Sequence, residues 1–371
     1  MITTLFLMIS YYTIGIYVIL IAQLILVWKK LKQSIPHKCN YKSISVIIVF
    51  RNEEKNLGKI ISQLLEQKIS NYHFEIILIN DHSMDSSCNI VESLLQKEKK
   101  IRLLNLAEGV TGKKNAIQLG VHYSQYPWIA TLDADVEIGL EWLNTLQTTS
   151  DADLQILPLT IKDDNTLFGK LQALEFMSLV GTTASMCNMK IPVLCNGANL
   201  LFSKEIYLRT LPLRKDIHVS SGDDMFLMQE VKKIGKIEWI HDLRAMAKTN
   251  PCENLSQFIN QRIRWANKSK HYKDKPTTLL GILILLVNTT FLISGILSIF
   301  GNDFLASFLI ILFAKTIVDF ILIDRVAHWI NMRHLLKYYF LVAILYPVYA
   351  VGIPLVGIFM KPEWKGRRID L

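Results

Sequence analysis

The sequence predicts a doubly wound α/β domain with a mostly parallel sheet, set between apolar helices that cross a membrane. Three observations carry this. From residue 43 to about 159, strand-like apolar runs alternate with stretches of helical spacing. Hydrophobic residues make up 51% of the 371-residue chain, more than an ordinary soluble protein carries. The longest uncharged runs lie at the two ends.

Residues 2–28 are almost uncharged and long enough to span a bilayer core of about 30 Å. Lys29, Lys30 and Lys32 follow directly. A cleaved signal peptide has basic residues first and a shorter apolar core. The reversed order predicts a retained anchor, with the following domain on the cytosolic side.

Strands are expected at residues 44–50, 75–80, 101–106 and 128–132, and helices at 53–67, 85–97 and 113–123. In doubly wound sheets, ligands bind beyond the carboxyl ends of the strands. Arg51-Asn52-Glu53, Asp81 and the pair Asp133/Asp135 each follow a strand directly. Such clusters at equivalent strand ends are stronger evidence than any one alone.

Asp133 and Asp135 end the run Ile-Ala-Thr-Leu-Asp-Ala-Asp. On a strand, alternate side chains share a face, so both carboxylates point one way. Two such oxygen donors suit a divalent cation that leaves positions open for phosphate and can neutralise a departing diphosphate. Taken alone, the pair is equally a strand running into a polar turn.

The stretch 151–275 is more mixed. Cys195-Asn-Gly-Ala-Asn199 reads as a tight turn into an apolar strand. Gly222-Asp223-Asp224 opens a helix running through Val231, where carboxylates suit the helix dipole. Plain capping would explain that as well. Gln261, Arg264 and Trp265 stand at i, i+3 and i+4 on one face of a helix expected over residues 256–270. Amide, guanidinium and indole together suit a stacked sugar beside an anion. The same basic stretch also fits an amphipathic helix on a membrane surface, and the two readings are compatible.

Residues 279–300 and 304–323 are further membrane candidates. Lys315 and Asp319, at i, i+4, are expected to pair or to face a polar interior. Residues 324–337 are polar and basic, hence cytosolic. Residues 338–360 are apolar but carry Pro347, Gly352, Pro354 and Gly357. A single crossing there would put the basic tail outside, against the positive-inside tendency. Either this segment is bent or re-entrant, or one hydrophobic segment is interfacial. The tail around Trp364-Lys-Gly-Arg367 reads as a gate-like element or a lipid anchor, with the anchor favoured.

The net charge of +9 fits cytosolic segments beside anionic lipid. No basic–aromatic interleaving favours nucleic acid. Cys39, Cys88, Cys187, Cys195 and Cys252 are scattered without a C-x-x-C pair, predicting reduced thiols and no zinc site.

These motifs, in this order and approximate spacing, resemble the membrane-integrated branch of the family 2 glycosyltransferases: cellulose synthase-like, hyaluronan synthase-like and ceramide glucosyltransferase-like enzymes. The resemblance covers residues 43–272 and the flanking membrane segments. It implies an N-terminal anchor (1–32), a cytosolic domain of GT-A type, Rossmann-like (43–275), a C-terminal membrane region of two or three segments (276–360) and a basic tail (361–371). It places the protein in a membrane, the cytoplasmic one of a bacterium, as an inverting transferase using a nucleotide-sugar donor, UDP-sugars first. Mg²⁺ or Mn²⁺ would serve as cofactor, a glycan or lipid as acceptor, and a partner subunit is compatible.

Residue by residue, Arg51, Asn52 and Glu53 match the motif that holds the nucleoside. The family's Asp-Asp-x-Ser appears as Asn80-Asp81-His82-Ser83, which leaves Asp81 for the base. Gly112-Lys113 matches an element near the diphosphate, with Lys113 or Lys114 as the cation. Asp133 and Asp135 match the metal motif, and Asp133 also meets the donor. Gly197, Ala198 and Asn199 resemble a turn lining the donor or acceptor pocket. Asp223-Asp224 matches the acidic motif whose second member is the catalytic base, giving Asp224, with Asp223 beside the acceptor and diphosphate. Gln261, Arg264 and Trp265 match the motif for acceptor sugar and diphosphate.

The chemistry agrees. Displacing a nucleoside diphosphate from an anomeric carbon needs positive charge at the leaving group, a base for the acceptor hydroxyl and an aromatic to orient the acceptor. Direct attack with one base predicts inversion. His82, His218 and His241 read as structural or surface residues. Polymer extension and single transfer to a lipid share this site. A non-catalytic scaffold predicts loss of a metal or base carboxylate, and all are present.

Overall fold

The computed structural model describes residues 2–34, 42–68, 73–214, 222–360, 363–365 and 367–368. The strands are β1 (Ile44–Phe50), β2 (Phe74–Asn80), β3 (Ile101–Asn105), β4 (Trp128–Asp133), β5 (Val136–Ile138), β6 (Leu154–Ile156), β7 (Leu159–Ile161), β8 (Asn199–Ser203), β9 (Ile237–Trp239), β10 (Ala247–Thr249), β11 (Glu363–Trp364) and β12 (Arg367–Arg368). All belong to one unit, formed by Lys32–Lys162, Leu194–Asn250 and Glu363–Leu371.

Its main sheet has seven strands in the order β3-β2-β1-β4-β8-β6-β9. β1 pairs in parallel with β2 and β4, and β2 with β3. β8 runs antiparallel to both β4 and β6. A second, three-stranded sheet has the order β5-β10-β7. Strands covered on both faces are mostly apolar, and β2 is buried along its whole length. The helix Lys113–Tyr123 lies close against this sheet. A side chain at Gly120 would stand 2.7 Å from Ile79 Cδ1 and 2.9 Å from Ile47 Cδ1, so the close approach there uses a glycine. The register places Phe50 opposite Asn80 and Val49 opposite Asp133. The loops that leave β1, β2 and β4 therefore emerge side by side.

The other unit joins Met1–Leu31, Asp163–Val193 and Pro251–Pro362. Among the described residues, four of its helical stretches are long and apolar enough to cross a membrane: Thr4–Trp28, Lys275–Leu297, Asn302–Trp329 and Arg333–Phe359. Exposed Leu279, Phe313 and Phe359 give them a surface suited to lipid. The helix Leu167–Asn188 packs among them, with Ser185 Oγ donating to Leu24 O at 3.0 Å. Lys315 and Asp319 pair at 2.6 Å, and the Tyr17 hydroxyl donates to the same carboxylate at 2.6 Å. A buried charge in such a segment needs these partners.

The final segment is helical throughout. Tyr339–Phe359 is one continuous helix with Pro347 and Pro354 inside it. Neighbouring helices and local adjustment can satisfy the backbone groups that proline frees. Residues 163–193 and 251–275, which follow on in the chain from the strand region, also group with the membrane helices.

Candidate active site

The loops after β1 and β2 are tied to each other. Asn52 has φ +52°, a region asparagine tolerates. Its Oδ1 accepts the Met84 N–H at 2.8 Å, and its own N–H donates to Ser83 Oγ at 3.1 Å. The Glu53 N–H donates to Ser87 Oγ at 2.8 Å. Buried Arg51 donates its Nη1 to the carbonyls of Asp81 at 2.8 Å and His82 at 2.7 Å, so it clamps the loops. A cleft of about 460 Å³ opens beside them, lined by residues 52–56, Met84 and Asp85.

Asn80 is structural. Its Nδ2 donates to Asn105 Oδ1 at 2.9 Å, and its Oδ1 accepts the Ser83 N–H at 2.8 Å. Asp81 is fully buried, with Oδ2 accepting the Gly112 N–H at 3.0 Å and Oδ1 accepting Arg367 Nη1 at 2.8 Å.

Asp133 closes β4, but Asp135 lies in the turn to β5, so the pair does not share a strand face. The turn, rather than the pleat, brings the carboxylates together. Burial, then Asp133 and Glu53, push the Asp135 carboxyl up to about 6. Lys113, first in its helix, donates to Asp133 Oδ1 at 2.5 Å and approaches Gly197 O at 3.4 Å. Burial opposes its charge, but Asp133, Asp223 and Asp224 hold its pKa above the ordinary value.

Gly222, at φ +93°, turns the chain into the helix Asp223–Ile234. Asp224 Oδ2 accepts the Gly197 N–H at 2.9 Å, and its Oδ1 accepts the Met225 N–H at 2.8 Å. Lys113 thus stands between Asp133 and the Gly197 turn that holds Asp224. Among the described residues, no group of three or more His, Cys, Asp or Glu is arranged to hold a metal by itself. Asp133 and Asp135 supply two hard oxygen ligands, which fit a cation that takes its remaining ligands from phosphate and water.

Asn199 is a correction. It does not line a pocket. It is fully buried, accepting Trp142 Nε1–H at 3.1 Å and donating to the carbonyls of Pro158 at 2.7 Å and Ala245 at 2.9 Å. Its polar side chain satisfies backbone groups in the core.

The sequence reading favoured a lipid anchor for the tail and missed what it touches. The Lys365 ammonium pairs with Glu53, and Arg367 pairs with Asp81. Lys365 has φ +47°, and its carbonyl accepts Arg51 Nε at 3.5 Å. The signal available was the charge of the tail against the acids at the strand ends.

His82 Nε2 bonds Val110 O at 2.9 Å. His241 takes the Trp239 indole N–H on Nδ1 at 3.3 Å, and burial lowers its pKa to about 4 against the pull of Asp242. His218 and Cys39 lie outside the described residues. Gln261, Arg264 and Trp265 stand on the helix Leu255–Ser269, in the unit of the membrane helices.

A parallel sheet with carboxylates gathered beyond its strand ends and an antiparallel strand inserted beside them defines a GT-A-like domain. Residues 45–204 match the model of glycosyl transferase family 2. That segment belongs to the family, and the chain carries a family 2 glycosyltransferase domain.

The chain is 23% identical over 238 residues to the poly-beta-1,6-N-acetyl-D-glucosamine synthase of Staphylococcus aureus, covering 61% of this chain and 54% of the synthase. It is 32% identical over 102 residues to the undecaprenyl-phosphate 4-deoxy-4-formamido-L-arabinose transferase of Shewanella sediminis, covering 27% and 31% of the two. The chain thus spans about half the length of the synthase it matches. Among solved structures, the mannosyltransferase PcManGT of Pyrobaculum calidifontis, in complex with GDP-Man and Mn2+, aligns with a TM-score of 0.57. It covers 92% of this chain and 96% of its own at 13% identity, a likeness of fold.

Proposed function

We propose that this protein is a membrane-bound inverting glycosyltransferase that moves a sugar from a nucleotide-sugar donor, a UDP-sugar first, to a growing glycan. The observation that carries the reading is the cluster in which Lys113 contacts Asp133 and Gly197 holds Asp224. Glu53 and Asp81 take the nucleoside, beside the loops clamped by Arg51 and Asn52. Lys113 takes negative charge at the diphosphate, and Asp133 and Asp135 hold Mg²⁺ or Mn²⁺. When bound, the cation supplies further positive charge at the leaving group.

Asp224 accepts the proton of the acceptor hydroxyl as its oxygen attacks the anomeric carbon from the face opposite the diphosphate. The bond to the diphosphate breaks, and the configuration inverts. Asp223 adds negative charge that keeps Lys113 protonated. Gln261, Arg264 and Trp265 are assigned to acceptor and diphosphate. The catalytic domain faces the cytosol of a bacterial inner membrane. Single transfer to a lipid is the second reading, and the match to an undecaprenyl-phosphate transferase favours it.

The test is nucleoside diphosphate release by the protein in lipid, across UDP- and GDP-sugars with Mg²⁺ or Mn²⁺. Release with one donor, lowered about 10²- to 10⁴-fold by Asp224→Asn, is the expected result. Product size then separates polymer from glycolipid. Donor binding without release, with a lipid extract supplied, would count against the transferase reading.

A further inference from the structure

In the unit of the membrane helices, Arg262 is only 4% exposed, between two aromatic rings. Its guanidinium carbon lies 4.4 Å from the centre of the Phe258 ring and 4.3 Å from that of Trp265. Nη2 donates to Glu175 Oε2 at 2.6 Å and Nη1 to Gln261 Oε1 at 2.5 Å. Glu175 is equally buried, and its Oε1 accepts the Tyr349 hydroxyl at 2.6 Å. The Tyr349 and Phe258 rings meet edge to face at 5.7 Å. Three helices converge here: Leu167–Asn188 brings Glu175, Leu255–Ser269 brings Arg262, and Tyr339–Phe359 brings Tyr349.

A buried ion pair is weak support for stability, because desolvation offsets its attraction. Apolar residues of the same size would hold the three helices as well. They would not set the plane of a ring. A guanidinium is flat and stacks on an aromatic face, while its fork fixes its rotation through two directed hydrogen bonds. Glu175 aims the fork, the fork holds the Gln261 amide, and its flat face lies against the Trp265 indole. Among the described residues Arg262 Nε finds no hydrogen-bond partner, so the other nitrogens set the orientation.

We propose that Arg262, aimed by Glu175 and Tyr349, is a positioning residue that fixes the Trp265 indole plane and the Gln261 amide for the acceptor. The placement of the two side chains stands on their geometry, and its use for an acceptor rests on the proposed function.

The experiment labels the full chain with 5-fluorotryptophan in lipid nanodiscs. Seven tryptophans give the ¹⁹F spectrum, and Trp265→Phe assigns the resonance of Trp265. Arg262→Met with Glu175→Leu removes both charges together and strands neither. It is expected to move the Trp265 resonance and leave the others in place. Tyr349→Phe keeps the charges paired and moves it the same way by less. Arg262→Lys keeps the charge without the fork and does not restore the wild-type spectrum.

The concentration of a bacterial lipid extract that half-saturates UDP release is expected to rise roughly ten-fold in the double variant, the scale of a desolvated cation–π contact. An unmoved Trp265 resonance in the folded double variant, in Tyr349→Phe or in Arg262→Lys overturns the proposal. If Trp265→Ala changes the half-saturation and the double variant does not, it is overturned too. If the resonance moves but neither Trp265→Ala nor the double variant alters half-saturation, the positioning stands and the acceptor assignment falls.

Discussion

Arg367 donates its Nη1 to Asp81 Oδ1 at 2.8 Å, on a carboxylate with no exposed surface. The other oxygen of Asp81 already holds the Gly112 N–H. Arg367 therefore competes with a nucleoside that bonds Asp81. Arg367 keeps 29% of its side chain exposed and Asp81 none, so solvent screens only the cation, and Arg367→Gln is expected to tighten UDP binding about two- to five-fold, the scale of a pair worth about 1 kcal/mol or less. Titration calorimetry reads this. Weaker binding would instead place Arg367 among the groups that hold the nucleotide.

Gly197 admits no side chain without a shift of Asp224. A Cβ there would lie 3.2 Å from Asp224 Cβ and 3.4 Å from Lys113 Nζ. Gly197→Ala is expected to keep the fold and lower the rate of UDP release about ten-fold or more, because misplacing a reacting group by a fraction of an ångström is costly. An unchanged rate would separate Gly197 from the chemistry.

Asn199 serves the core. Asn199→Ala strands the Trp142 indole N–H and the carbonyls of Pro158 and Ala245. The expected loss is about 2–4 kcal/mol of stability, since buried polar groups left unpaired cost more than a single hydrogen bond returns. Denaturant unfolding of the variant measures it. Donor affinity of the folded fraction should hold.

His241 makes stability depend on pH. Burial lowers its pKa from 6.5 to about 4 in the folded chain. Its contribution is therefore present above pH 6.5 and is lost as pH falls through the window to 4. For this half-buried ring the loss is on the order of 1–2 kcal/mol. His241→Gln should flatten that part of the thermal-stability profile. A wild-type profile already flat across the window would remove His241 as its cause.

The strand ends were legible because a buried parallel strand is a local apolar run and the polar residues that follow it stand out. Arg51-Asn52-Glu53, Asp81 and Asp133 were located this way. Asp135 was found for the wrong reason, since the strand ends two residues earlier, at Asp133. Asn199 was misread because a core asparagine and a pocket asparagine look alike in one dimension. Arg262 was passed over because its partner, Glu175, is 87 residues away in the chain. That Pro347 and Pro354 stand inside one helix was not legible, because the support that neighbouring helices give to the freed backbone groups is not local in sequence.

By itself the sequence determined the alternation of strands and helices, the apolar segments and the carboxylates at the strand ends. Each depends on residues within a turn or two of one another. The tertiary structure decided how those groups are used. It set Lys113 on Asp133, held Asp224 by the Gly197 turn, laid Lys365 and Arg367 on Glu53 and Asp81, and locked Arg262 against Trp265. Hydrogen bonds and ion pairs act over a few ångströms, and only the folded chain brings distant residues within that reach.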